Sequence, residues 1–269
     1  MIGAILGDIL GSTYEWRNTK TETFPLFPPE TRFTDDTVMT IATSYALLQQ
    51  KSYRETYQNF YHRYPNAGYG SRFSEWAQNK EANAYGSYGN GSAMRVSPVA
   101  YAFRTETEVL SEAERSAGVS HNHPEGIKGA KAIALATFYA RNGKSKDFIQ
   151  KEIEKRFGYN LQDSISNIRK TYHFDVSCQG SVPEAIISFL ESTDYESAIR
   201  KAISLGGDSD TIACMCGSIA SAYYGEIPDL ILSKGISYLD SYLKEQVKQF
   251  AKQYPVLKNN SDLIKLLSK

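Results

Sequence analysis

The sequence lacks the features that mark several classes of protein. Its three cysteines, Cys178, Cys214 and Cys216, show no C-x-x-C spacing, so they indicate neither a disulfide framework nor a zinc site. The 30 basic residues balance the 30 acidic ones and no Lys/Arg run occurs. The charge pattern typical of a nucleic-acid-binding protein is therefore missing.

Signals for membranes and secretion are equally scarce. No apolar run in the sequence is long enough to span a bilayer. The apolar start has no basic residues before it and is interrupted by Asp8, which argues against a secretion signal. We therefore expect a cytoplasmic monomer whose partner is neither a membrane nor a nucleic acid.

What the sequence does contain is helical periodicity, with few signals for strands. Apolar residues recur at steps of three or four between short polar or glycine-rich breaks. The predicted helices cover residues 36–50, 52–62, 93–103, 125–142, 145–157, 182–192, 195–205, 211–224 and 236–252, and a short amphipathic helix is expected after Pro255. We expect one all-α domain over residues 1–269.

Two acidic clusters stand out, and each opens a segment with helical periodicity. They are Thr34-Asp35-Asp36-Thr37 and Gly206-Gly207-Asp208-Ser209-Asp210-Thr211. Asp residues at a helix start can simply cap its free N–H groups and face its positive dipole end. Two such clusters, however, hold more carboxylates than capping requires, and the two glycines allow the backbone a tight turn close to a ligand.

The chemistry of these clusters favours a hard divalent cation. Carboxylates and threonine hydroxyls are the oxygen donors that Mg²⁺ or Mn²⁺ selects, and neither cluster contains a thiolate or an imidazole. The residues alone therefore predict that the two clusters meet and form a two-part metal site.

Two loops are rich in glycine and tyrosine. Residues 66–72 and 84–92 contain Gly, Tyr, Ser and Asn, and their glycines allow backbone N–H groups to point at a ligand. Such loops can also be plain connectors. Together with a metal site they indicate a binding cleft.

Several separated motifs follow one another in a specific order. They are residues 3–15 (GAILGDILGSTYE), 34–37 (TDDT), 68–70 (GYG), 86–95 (GSYGNGSAMR), 120–121 (SH) and 206–211 (GGDSDT). In this order they resemble the ADP-ribosylglycohydrolase family over nearly the whole chain. The resemblance implies a compact orthogonal all-α domain with two Mg²⁺ or Mn²⁺ ions.

The resemblance also implies roles for individual residues. The metal ligands would be Thr34, Asp35, Asp36, Asp208, Asp210 and Thr211. The catalytic residues would be Glu15 and Asp36. ADP-ribose would be bound by Gly68, Tyr69, Gly70, Gly86, Ser87, Tyr88, Gly89, Asn90 and His121. Either Tyr85 or Tyr88 would stack on the adenine.

The activity implied is Mg²⁺-dependent hydrolysis of the glycosidic bond between ADP-ribose and a protein side chain or a small molecule. Two alternatives remain open: a Mg²⁺-dependent phosphohydrolase, suggested by Asp208-x-Asp210, and an ADP-ribose-binding protein without catalysis. From the residues alone, Glu15 could be a surface residue and His121 a helix-start residue ahead of Pro124. Arg95 could contact a diphosphate or support the metal carboxylates.

Overall fold

Helices make up the regular structure of the protein in the computed structural model, which describes residues 1–268. Over this range no β-strand forms, and a single isolated bridge pairs Gly89 with Ser177. The expected all-α class is confirmed. The helices are α1 (Ile2–Gly11), α2 (Asp35–Gln49), α3 (Tyr53–Arg63), α4 (Ser71–Gln78), α5 (Gly91–Met94), α6 (Val99–Ala102), α7 (Glu106–Gly118), α8 (Pro124–Arg141), α9 (Lys146–Phe157), α10 (Ile165–Thr171), α11 (Cys178–Leu190), α12 (Tyr195–Ser204), α13 (Ser209–Tyr224), α14 (Asp229–Ser237), α15 (Ser241–Gln253) and α16 (Asn260–Leu266).

Most of the predicted helices are confirmed, and their ends shift by one or two residues. The confirmed ranges are 36–50, 52–62, 125–142, 145–157, 195–205 and 211–224. Their ends carry the expected signals. Ser52 and Ser145 accept hydrogen bonds at helix starts, and Gly225 ends α13 in the left-handed region at φ 72°.

Three predicted ranges were wrong in their bounds. The range 93–103 is two short helices because Pro98 cannot donate a backbone hydrogen bond and disfavours helix just before it. The range 236–252 is broken before Asp240, whose side chain accepts from Leu243 N at 2.8 Å and starts α15. Helix α11 begins at Cys178 instead of 182, because the Ser177 side chain caps it by accepting from Gly180 N.

Five helices were not predicted: α1, α4, α7, α10 and, except for its last two residues, α14. Helix α7 does carry a readable start signal, since Thr105 and Glu108 form a reciprocal capping box. Helix α1 has no polar face to reveal it, because all ten of its residues are buried. A helix buried on every side shows no amphipathic period.

Helices α1 and α13 form the centre of the structure. Every residue of α13 from Ser209 to Ser221 is buried, and α13 also packs against α8, α11 and α12. The contact between α1 and α13 is the most extensive between any two of these helices. Within residues 1–268, none of the helices combines the length and the apolar character needed to cross a membrane.

A stripe of glycines allows α1 to lie directly on α13. Gly3, Gly7 and Gly11 are spaced four residues apart and therefore share one face of α1. A Cβ atom on Gly7 would overlap the carbonyl group of Ala213, and one on Gly11 would lie 2.5 Å from Asp210 Cα. The glycines thus bring Asp8 and the end of α1 to the start of α13.

We expect Gly7→Ala to lower the free energy of unfolding by about 2–3 kcal/mol, because the added methyl group has no room against the backbone of α13. The matched control is Gly118→Ala at the end of α7, where a Cβ would have no neighbour within 4 Å. Urea unfolding of both variants measures the difference. Equal stabilities would contradict the close contact.

Candidate active site

The two acidic clusters meet at the adjoining starts of α2 and α13. Thr34 is the N-cap of α2, where its Oγ1 accepts from Asp36 N at 3.3 Å. Asp208 is the N-cap of α13, after Gly206 and Gly207 take φ values of 73° and 71°. These values favour glycine. Thr211 Oγ1 donates to Asp36 Oδ2 at 3.2 Å and joins the two helix starts.

Two sets of carboxylates form at this junction and share one member. The first set is Asp8, Asp36 and Asp210, and the second is Glu15, Asp208 and Asp210. In each set one oxygen per residue lies within 4.8 Å of the others. Asp210 therefore lies between two groups of oxygen donors.

Burial, and then the charges of neighbouring carboxylates, raise the pKa values of the acids at this junction. Burial raises the pKa of Asp35 to about 8, with the charge of Asp8 adding to the effect. Burial and the charge of Asp208 raise the pKa of Glu15 to about 7. The pKa values of Asp36 and Asp210 also rise well above their usual range, from burial and then from neighbouring carboxylates. These carboxyl groups therefore resist ionisation unless a positive charge lies beside them.

The donor set fits a divalent cation. Asp36 Oδ1 is buried and has no hydrogen-bond partner among the described residues. In residues 1–268, no Lys or Arg forms an ion pair with any of these carboxylates. Buried carboxylates are ordinarily paired or bound to metal, and oxygen donors of this kind suit Mg²⁺ or Mn²⁺.

Asp8 is a part of the site that the sequence did not reveal. It is fully buried, and its Oδ2 accepts from the backbone N–H groups of Thr34 at 2.9 Å and Thr37 at 3.1 Å. Its Oδ1 accepts from Thr34 Oγ1 at 2.6 Å. Asp8 thus holds the start of α2 in place. Its sequence signals were a lone acid within an apolar segment and its place in the motif of residues 3–15.

The carboxylates lie on the wall of a cleft of about 540 Å³, a size typical of small-molecule sites. All six predicted metal ligands and Glu15 line it. Seven of the nine predicted substrate-binding residues line it too: Gly68, Gly70, Ser87, Tyr88, Gly89, Asn90 and His121.

Two predicted substrate-binding residues lie outside the cleft wall. The ring of Tyr69 stacks on Phe73 with centroids 5.4 Å apart and belongs to an aromatic cluster beneath the loop. Gly86 N donates to Asn122 Oδ1 at 2.7 Å, which fixes the beginning of the second loop. Both residues shape loops whose neighbours face the cleft.

The second loop is attached directly to the acidic cluster. Asn90 Nδ2 donates to Asp208 Oδ2 at 2.7 Å and to Ser181 Oγ at 3.2 Å. The loop backbone is held from the other side, because Asn90 N donates to Val176 O at 2.8 Å. The position of the glycine-rich loop is therefore coupled to that of the carboxylates.

His121 faces the same loop as a neutral side chain. Burial and then the charges of Arg95 and Arg72 hold its pKa well below the usual range. Its Nδ1 lies 2.8 Å from Ser120 Oγ, which accepts from Arg95 at 2.8 Å. Because Arg95 can only donate, the Ser120 hydroxyl proton is free for Nδ1, and the His121 proton then lies on Nε2.

Arg95 is fully buried and forms part of the cleft wall. Its guanidinium lies 4.2 Å from the centre of the Tyr57 ring and donates to Ser116 O at 3.0 Å. Its hydrogen bonds go to residues around Ser120 and not to the acidic clusters. Arg95 therefore makes no hydrogen bond to the metal carboxylates, and its contact with a diphosphate stays a prediction.

Comparison with known proteins matches the chain to a family. The family model described as ADP-ribosylglycohydrolase matches residues 1–260. The chain belongs to the ADP-ribosylglycohydrolase family. It is accordingly a hydrolase of the family whose members act on ADP-ribose linkages.

Individual relatives cover most of the chain. The ADP-ribosylhydrolase ARH3 of Homo sapiens is 30% identical over 85% of this chain and 86% of its own length. The ARH3 of Bos taurus is 30% identical over 85% of each chain. A solved structure described as an ADP-ribosylglycohydrolase-related protein complex has a TM-score of 0.69 and 24% identity, covering 99% of this chain and 94% of its own. This last likeness supports the fold alone.

We expect Asp8→Asn to bind Mn²⁺ about 10–100-fold more weakly. The amide NH₂ group would face N–H and O–H groups that now donate to Asp8, so the start of α2 would lose hydrogen bonds that hold it in place. Isothermal titration with Mn²⁺ measures the affinity. Asp229→Asn, an exposed acid in the first turn of α14, is the control. An Asp8→Asn protein with the parental affinity would show that Asp8 does not position the ligands.

Proposed function

We propose that the chain is a divalent-metal-dependent hydrolase that cleaves the glycosidic bond joining the distal ribose of ADP-ribose to a protein side chain or a small molecule. The observation that carries the proposal is the position of Asp210, shared by two carboxylate sets on the wall of a 540 Å³ cleft. The match to the family over residues 1–260 supports it and supports one domain built around this cleft.

The proposed ligands of two Mg²⁺ or Mn²⁺ ions are Thr34, Asp35, Asp36, Asp208, Asp210 and Thr211. When bound, such ions supply Lewis acidity toward water and the ribose hydroxyls and neutralise the crowded carboxylates. The hydrogen bonds from Asn90 to Asp208 and from Thr211 to Asp36 would keep the carboxylates oriented.

Glu15 is the proposed acid–base residue. It is half-buried on the cleft wall, beside Asp208 and Asp210, and follows the end of α1 in a short turn. Cleavage of a glycosidic bond passes through a state in which the anomeric carbon is electron-poor. A carboxylate beside it can take the proton of the attacking water. Asp36 is the second candidate for this step.

The rest of the cleft would hold the ADP part of the substrate. The neutral His121 offers an Nε2–H donor toward Gly91, to which that nitrogen lies close. Tyr88 is 49% exposed, and its ring centre lies 5.4 Å from that of His123 in a T-shaped arrangement. The exposed part of the ring is available for adenine. Tyr85 is the weaker candidate because Arg72 lies 5.0 Å from its ring centre.

The phosphohydrolase alternative finds less support. An aspartyl nucleophile of that kind would follow an apolar strand, whereas Asp208 follows a glycine turn and caps α13. No strand precedes it anywhere in the part of the chain that the structure describes.

The proposal is tested with a panel of defined ADP-ribosylated substrates, incubated with Mg²⁺, with Mn²⁺ or with a chelator. We expect free ADP-ribose from at least one substrate and loss of this product with the chelator. Release of inorganic phosphate instead would favour the phosphohydrolase. Binding of ADP-ribose without turnover of any substrate would indicate a non-catalytic binding protein.

Glu15→Gln should slow hydrolysis by about 10²-fold or more while ADP-ribose still binds, because the amide keeps the shape of the side chain but cannot take a proton. The matched control is Glu30→Gln, which removes an exposed ion pair with Arg17. Single-turnover rates and calorimetric ADP-ribose affinities separate the two effects. A parental rate in Glu15→Gln would make Asp36 the leading candidate for the base.

A further inference from the structure

Exposed apolar side chains gather at the mouth of the cleft. Among the described residues, the large hydrophobic side chains with the greatest exposure are Trp16 at 74%, Tyr88 at 49%, Phe174 at 53%, Val176 at 52% and Leu230 at 66%. All except Leu230 line the cleft. Single exposed hydrophobic residues need no explanation, but a cluster of them marks a contact surface.

This apolar rim has two halves, and the first belongs to the glycine-rich loop. Cys178 N donates to Tyr88 O at 2.9 Å, and Asn90 N donates to Val176 O at 2.8 Å. These paired backbones hold the segments of Tyr88 and Val176 together. Tyr88 is the ring proposed above for adenine.

The second half, Trp16 and Phe174, adjoins the segments that carry Glu15 and Asp208. Trp16 directly follows Glu15, and Phe174 Cα would lie 3.1 Å from a Cβ on Gly207, the residue before Asp208. Hydrogen bonds fix the two segments relative to each other and to the glycine turn: Asn18 accepts from Gly207 N, and Lys20 Nζ donates to Tyr172 O at 2.8 Å.

The direction of the substrate follows from these positions, and the argument rests on the proposed function. The adenosine would extend from the carboxylates toward Tyr88, so the group attached to the anomeric carbon has to leave on another side. Glu15 lies beside that carbon in the proposed function, and Trp16 is its neighbour. The leaving group therefore passes the second half of the rim.

We propose that Trp16 and Phe174 form a subsite for the leaving group, and that it selects leaving groups with an aromatic or aliphatic face beside the scissile bond. Trp16 is three-quarters exposed, so an apolar group packed on its indole ring would remove much of that surface from water. Stacking on an aromatic ring adds to this gain.

The test compares two ADP-ribosylated peptides that carry the linkage cleaved in the substrate panel and differ at one position. The residue after the modified side chain is Phe in one peptide and Gly in the other. The parental enzyme should prefer the Phe peptide by about tenfold in kcat/KM. Trp16→Ala should reduce this preference to nearly one, and Leu230→Ala on α14 should keep it.

Trp16→Phe tests whether Trp16 acts through apolar contact with the leaving group or through its neighbour Glu15. The variant keeps an aromatic face and removes the indole N–H. It should retain most of the preference. Calorimetric affinity for ADP-ribose, which has no leaving group, checks that the cleft of each variant is intact.

Several outcomes would overturn the subsite: equal kcat/KM of the parental enzyme for both peptides, an unchanged preference in Trp16→Ala, or the same loss in Trp16→Phe as in Trp16→Ala. Each of these leaves the proposed function standing, because the Gly peptide is still cleaved. Failure to cleave either peptide would contradict the proposed function and the subsite together.

Discussion

Mutual repulsion among buried carboxylates is the constraint on which the rest of this structure depends. Burial and neighbouring charges raise the pKa values of Glu15, Asp35, Asp36 and Asp210 together, and no base of residues 1–268 pairs with them. Such a cluster persists only with compensation from helix starts, hydrogen-bond donors and cations. The helix starts are those of α2 and α13, and the hydrogen-bond donors are Asn90, Thr34 and Thr211. The cations would be the divalent ions of the proposed function.

The packing of α1 on α13 is what allows the cluster to form. Because glycine faces the backbone of α13 at each turn of α1, the two helices approach more closely than side chains would permit. This approach brings Asp8 against Thr34 and Thr37 and places Glu15, just after α1, beside Asp208. A helix without a polar face thus organises the most polar part of the molecule.

Local chemistry made part of this arrangement readable from the sequence. The Asp clusters could be found because their helices begin there and because capping and metal binding call for the same oxygen atoms. The role of Asp8 could not be found, since it depends on a contact between α1 and α2 that no periodicity records. The outward ring of Trp16 and the inward ring of Tyr69 likewise depend on tertiary packing: their residue types are similar, and only the fold decides which of them meets solvent.

If Asp210 is shared by two bound cations, anomalous diffraction from crystals grown with Mn²⁺ should show it. We expect two anomalous peaks, both within about 2.0–2.6 Å of Asp210 carboxylate oxygens, the range for oxygen ligands of hard cations. Neither peak should survive in crystals of Asp210→Ala. A single peak away from Asp210, or no peak at the carboxylates, would rule out a shared Asp210.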